Sequence, residues 1–88
     1  MKMCSFAEVI AALNVGRRAA RAGWNGKGIF IGKYTPEPTE FINQPFLYID
    51  STGLLGNNPH SPKTRAPWLA SQTDILASDW IIIEEVVK

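Results

Sequence analysis

Two short segments hold most of the residues that could do chemistry. Residues 21–28, RAGWNGKG, place Trp24 among glycines, with Arg21, Asn25 and Lys27 beside it. Residues 67–80, PWLASQTDILASDW, bracket Ser71, Gln72, Thr73 and Asp74 with Trp68 and Trp80. The chemistry these types share is the holding of a nucleotide. Tryptophan faces stack on nucleobases, a contact worth about 1–3 kcal/mol per base. Groups such as Asn25, Gln72 and Asp74 read base edges or ribose hydroxyls. Arginine and lysine, with backbone N–H groups at a helix start, hold phosphate. The same residues admit a plainer reading, in which Trp24 and Trp68 anchor a core or an interface and the glycines turn the chain. Composition alone leans slightly toward that plainer reading.

Templates for catalysis are mostly missing. One cysteine, Cys4, and one histidine make neither a metal-ligand set nor a nucleophile–base pair, since His60 lies in a Pro/Asn-rich loop. The GWNGKG run lacks the phosphate-loop pattern and precedes a strand rather than a helix. No G-x-S-x-G nucleophile elbow occurs. Asp74 and Asp79 could form a carboxylate pair, but the first has the spacing of a helix cap and the second stands just ahead of a strand. No catalytic residue, metal ligand or cofactor is assigned.

The elements that must position these residues follow from periodicity. Residues 5–15 read as a helix, with Phe6, Val9, Ile10 and Leu13 on one stripe. Ser5 and Glu8 have capping-box spacing, and Gly16 is placed to end the helix. Arg17 and Arg18 would then sit at its C-terminal end, where positive charge is favourable. GIFIGKY, residues 28–34, and FLYID, residues 46–50, read as strands, separated by the proline-bearing TPEPTEF. STG stops the second strand, and residues 51–67 read as a long surface loop. Ser71 and Asp74 repeat the capping-box spacing ahead of a short helix over about residues 72–78. WIIIEEVV, from residue 80, reads as a last strand that is apolar on both faces at its start. Such a strand needs cover on both sides. The N-terminal helix supplies one cover, and a second copy of the chain is the simplest supply of the other. The expected fold is α+β: a small antiparallel sheet with one longer and one shorter helix, assembled as a homo-oligomer.

Eighty-eight residues make a single domain, residues 1–88, with a modest core. A net charge of +1 gives no support to a general DNA, RNA or membrane-surface binder. No apolar run has membrane-spanning length, and Glu8 interrupts the faint signal-peptide look of the N-terminus. A lone cysteine fits a reducing cytoplasm.

The segments FAEVIAALNVG, RAGWNGKG and PWLASQTDILASDW together resemble a family of short phage and prophage proteins that includes the second type of Thoeris anti-defence protein. The resemblance runs over nearly the whole chain and is weakest across residues 35–63. It implies a nucleotide sponge. In Thoeris defence a TIR-domain enzyme converts NAD into a cyclic ADP-ribose isomer, which activates an NAD-depleting effector. Proteins of the family bind that signal without cleaving it, as homotetramers with pockets between protomers, and some also take up cyclic dinucleotides at a separate site. Residue types then suggest roles: Trp24 or Trp68 stacks on the base, and Asn25 and Asp74 bond ribose or base edges. Ser71, Gln72 and Thr73 offer donors to phosphate, and Arg21 and Lys27 supply charge. Two other classes stay open. A nucleotide-acting enzyme would use Asp74 or Asp79 as acid or base. A purely structural phage oligomer would use the tryptophans as anchors.

Overall fold

The computed structural model describes residues 2–24, 28–53 and 64–83. The first helix, α1 (Phe6–Asn14), forms where the apolar stripe was read. Its capping box is complete: the Glu8 N–H donates to Ser5 Oγ, and the Ser5 N–H donates to Glu8 Oε1. At the other end Gly16 takes a φ of +89°. Its N–H donates to the Leu13 carbonyl and that of Arg17 to the Ala12 carbonyl, so a Schellman motif closes the helix. A Cβ at Gly16 meets nothing within 4 Å, so backbone strain is the whole cost of substitution there. Gly16→Ala is expected to lower stability by about 1–2 kcal/mol, read as a shift in urea midpoint at unchanged slope.

Five strands follow: β1 (Arg18–Arg21), β2 (Phe30–Tyr34), β3 (Phe46–Asp50), β4 (Arg65–Pro67) and β5 (Trp80–Ile83). A short helix, α2 (Gln72–Leu76), lies between the last two. The strands form one sheet in the order β4-β3-β2-β1-β5, and every neighbouring pair is antiparallel. The α+β reading therefore holds.

Two strands were not read from the sequence. β1, RAAR, contains no β-branched or aromatic residue, and the expected helix-end role of Arg17 and Arg18 masked it. It becomes a strand because β2 and β5 pair with it on both sides and bury Ala19 completely. Arg18 thus opens a strand, and the Arg17 N–H serves the helix end by donating to the Ala12 carbonyl. β4 falls inside the expected loop of residues 51–67. Its three residues are exposed, and Pro67 is tolerated because the strand is at an edge. Ser51 and Thr64 close the base of the β3–β4 connection through backbone and hydroxyl bonds of 2.8–3.1 Å. The remainder of the expected loop, residues 54–63, and the tail of the last strand, residues 84–88, lie outside the described residues.

Alternation sends the two sheet faces to different fates. Ala19, Ile31 and Ile82 face α1 and join Cys4, Val9, Leu13 and Trp80 in the core. Ile81 and Ile83 pair with Ala20 and Arg18 and face the other way. No helix covers that second face among the described residues. Cys4 is buried, and its backbone bonds Trp80 in both directions along the outer edge of β5. A thiol so enclosed behaves as a small apolar side chain.

Candidate functional site

The tryptophan segments of the sequence meet on the helix side of the sheet. Trp80 is fully buried and stands at the centre. Trp24 packs against it edge-on at 5.4 Å between ring centroids, and Trp68 does so at 6.2 Å. Phe6 of α1 completes the cluster, 5.6 Å from Trp80 and 6.5 Å from Trp68. The Trp80 indole N–H donates to the Asp74 carbonyl at 2.9 Å, which ties α2 to β5.

The polar residues between the tryptophans form a clasp over this cluster. Arg21 Nε donates to Asp79 Oδ1 at 2.9 Å, and Arg21 Nη1 donates to Asp74 Oδ1 at 3.0 Å. The Gly23 N–H donates to Asp79 Oδ2 at 2.9 Å, an approach that leaves little room for a Cβ at Gly23. Asp74 also closes the α2 capping box, accepting from the backbone and hydroxyl of Ser71. Tryptophan and polar residues stand together here because the carboxylates that cap α2 and lead into β5 are neutralised by the arginine of β1.

Hydrogen bonds from Arg21 and Gly23 hold the Asp79 carboxyl below its ordinary pKa. Burial pushes Asp74 up, but bonds from Ser71 and Arg21 outweigh it and the net shift is downward. Both groups are ionised at neutral pH with their acceptor oxygens engaged. Of the residues the sequence singled out, the structure thus brings Arg21, Trp24, Trp68, Ser71 and Asp74 together, and engages each one internally. Gln72 and Thr73 lie exposed on α2. Asn25 and Lys27 fall outside the described residues.

A separate cleft of about 720 Å³ opens on the helix-free face of the sheet. That volume lies within the roughly 300–1,000 Å³ typical of small-molecule sites. Strand alternation builds it: Phe30, Gly32 and Tyr34 of β2 stand opposite Asp50, Tyr48 and Phe46 of β3. Arg18 of β1 flanks one side, its guanidinium 4.6 Å from the centroid of Phe30. Arg65 of β4 flanks the other. The two arginine-bearing strands are three strand spacings apart, about 14 Å. Tyr34 and Phe46 pack at 5.5 Å, and Ile42 from the β2–β3 connection joins the rim. That connection is tethered by Glu40, which accepts from the Tyr34 hydroxyl at 2.9 Å and from the Glu37 N–H at 2.6 Å.

Asp50 is the one charged side chain buried among the described residues, 3% exposed. It accepts from the Thr52 N–H, the Thr52 hydroxyl and Arg65 Nε at 2.6–2.8 Å. Burial raises its pKa, and these bonds more than reverse the effect. Arg65 is anchored by Nε while most of its side chain remains exposed, 68%.

Because Asp50 and Asp74 have folded-state pKa values below the ordinary 3.8, the stability they contribute is full above that value. It is lost as pH falls through the lowered values. Thermal melts from pH 7 to pH 3 are expected to show a steep acid decline in the wild type and a shallower one in Asp50→Asn and Asp74→Asn. Equal declines in all three would mean other groups carry the acid sensitivity.

The cleft was absent from the sequence reading, although its signal was present. Phe30 and Tyr34 share one parity in β2, as do Phe46 and Tyr48 in β3. A face lined by four aromatic rings beside the core-facing positions is an unusual cost unless something covers it.

Comparison with known proteins agrees with the extent of this fold. The sequence pattern of the Thoeris anti-defense 2-like domain matches residues 4–83. Those limits run from Cys4, which bridges to β5, to the last residue of β5. A protein of Bacillus phage SP01 described as Thoeris anti-defense 2 is 34% identical over 89 residues, covering 90% of this chain and 93% of that protein.

This chain belongs to the Thoeris anti-defense 2-like family. Membership supports a phage anti-Thoeris function. For the Thoeris anti-defense 2-like fold seen here, the matched region includes both the tryptophan clasp and every strand that lines the cleft. Among the described residues no helix is long and apolar enough to cross a membrane, and no group of three or more His, Cys, Asp or Glu could hold a metal ion.

Proposed function

We propose that this protein blocks Thoeris immunity by binding and sequestering a TIR-derived cyclic ADP-ribose nucleotide without cleaving it, and that it does so in the bacterial cytoplasm as a homotetramer. The observation that carries the reading is the cleft, where aromatic rings and the guanidinium groups of Arg18 and Arg65 line one volume. A nucleotide with a base and a pyrophosphate asks for both kinds of surface. The helix-free face with Ile81 and Ile83 beside the cleft supports assembly, since burial against another copy would cover it.

A second reading places the ligand at the tryptophan clasp. It is favoured by the exposure of Gln72 and Thr73 and by the partial exposure of Trp24 and Trp68. Titration calorimetry with cyclic ADP-ribose isomers separates the two. Arg65→Ala is expected to weaken binding about 10- to 150-fold, the range of one lost hydrogen bond to a charged group. Gln72→Ala and Thr73→Ala should bind as the wild type does. The opposite pattern, in variants that stay folded, moves the site to the clasp. A parallel titration with cyclic dinucleotides tests for the second ligand class the resemblance implies.

A further inference from the structure

Phe41 is fully exposed, at 103%, whereas the other three phenylalanines, Phe6, Phe30 and Phe46, are partly buried. The segment that carries it is stiff. The β2–β3 connection, residues 35–45, holds Pro36, Pro38 and Pro45, each with its φ fixed by the ring. The Glu40 N–H donates to the Glu37 carbonyl at 3.0 Å. The Glu40 carboxylate accepts from the Glu37 N–H at 2.6 Å and from the Tyr34 hydroxyl at 2.9 Å. These bonds end one residue before Phe41. One residue after it, Ile42 returns to the rim of the cleft beside Tyr34 and Phe46. A braced turn thus holds an apolar ring out in water. Such a ring marks a contact surface, and the bracing lowers the entropy cost of covering it.

Resting on the assembly part of the reading above, we infer that Phe41 and Ile42 form a contact that locks two copies of this chain, each tip packing on the Tyr34–Phe46 pair of the other copy. Three observations select a second copy as the occupant. Ile42 of the tip lines the same cleft as its seat, so tip and seat adjoin on one chain and a two-fold axis closes the contact with both tips seated. The tip, residues 41–44, carries no charged side chain, and the neighbouring Glu40 carboxylate is spent on Tyr34 and Glu37. Two tips therefore meet without like-charge repulsion. The tip also borders the helix-free face that carries Ile81 and Ile83, the surface another copy covers in that reading. An aromatic ring buries about 150–250 Å². Phe41, with the exposed parts of Tyr34 and Ile42, thus supplies a large share of the roughly 800 Å² each partner brings to a stable interface. Arg65, level with Asp50, stands four residues further along β3, about 13 Å away, and lies outside the contact. The tip falls within residues 35–63, where the family resemblance is weakest, so it is a feature of this chain's own sequence.

Light scattering of the full chain across a dilution series tests the contact. Because Phe41 is fully exposed in the protomer, Phe41→Ser should keep the wild-type circular dichroism spectrum and melting curve at high dilution. Its assembly should weaken at least about 100-fold, since one buried phenyl side chain is worth about tenfold or more and a two-fold contact holds two. In a tetramer of dihedral symmetry that loss leaves dimers, because the other interface is untouched. Glu40→Ala frees the tip without shortening it and should weaken assembly less, on the order of tenfold. A wild type that assembles, with Phe41→Ser assembling equally well, overturns the contact and leaves the assembly reading standing. A Phe41→Ser variant that keeps its mass but no longer binds a cyclic ADP-ribose isomer in calorimetry also overturns it, and gives the tip to the ligand. A wild type of 9.7 kDa throughout the series overturns both the contact and the assembly.

Discussion

Trp80→Ala is expected to lower stability by about 3–5 kcal/mol, the usual cost of removing a buried tryptophan. Trp80 is wholly buried and touches Phe6, Trp24 and Trp68, so its loss opens a cavity that α1, α2 and the chain after β1 all border. The same change strips the Asp74 carbonyl of its indole donor. A domain of this size holds roughly 5–15 kcal/mol in all, and each kcal/mol moves its melting temperature by about 4–8 °C. The fall should therefore be at least about 12 °C. Trp24→Ala, at a half-buried position, should cost less. Urea denaturation at fixed protomer concentration measures both, since assembly would otherwise shift the midpoint. A loss under about 1 kcal/mol for Trp80→Ala would mean the cluster is not the keystone described here.

Saturation with the right nucleotide is expected to act nearly as strongly in the opposite direction. Ligand at a hundredfold excess over its dissociation constant adds about 2.7 kcal/mol of apparent stability. For this length of chain the melting temperature should rise on the order of 10–20 °C. Heat-released ligand should be chemically unchanged and able to activate a Thoeris effector again. Sequestration works by stoichiometry and slow release. Turnover instead requires the transition state to be bound more tightly than the substrate. Linear ADP-ribose recovered in amounts exceeding the protein would make this an enzyme. Light scattering bears on the same proposal: a mass of 9.7 kDa at micromolar concentration would remove the homotetramer.

Asp74→Ala separates the two roles weighed for the tryptophan segments. It removes a cap, typically worth about 1 kcal/mol, and one of two carboxylates on Arg21. If Asp74 serves only the clasp, the folded variant keeps wild-type affinity for cyclic ADP-ribose isomers. A folded variant that no longer binds would return the ligand to the clasp.

The chain's own pattern determined the pieces whose signals are local. Ser5 with Glu8, Ser71 with Asp74, and Gly16 each act within one turn, so their helix ends could be read from spacing alone. GIFIGKY and FLYID declared themselves by β-propensity and alternation, and the strands form over FIGKY and FLYID. The tertiary structure decided the rest. RAAR has no intrinsic preference for a strand and becomes one only between β2 and β5. Among the described residues, RAP at 65–67 is held by β3 alone. The partners of Arg21 are 53 and 58 residues away, so no local pattern could show that its charge is already matched. The cleft depends on register: Gly32 opposite Tyr48 and Asp50 opposite Arg65 are pairings that arise when strands align. A shift of one residue would have turned the same aromatic side chains to the other face. Local chemistry sets where an element begins and ends, whereas long-range pairing sets which side chains meet, and a binding surface is made of the second.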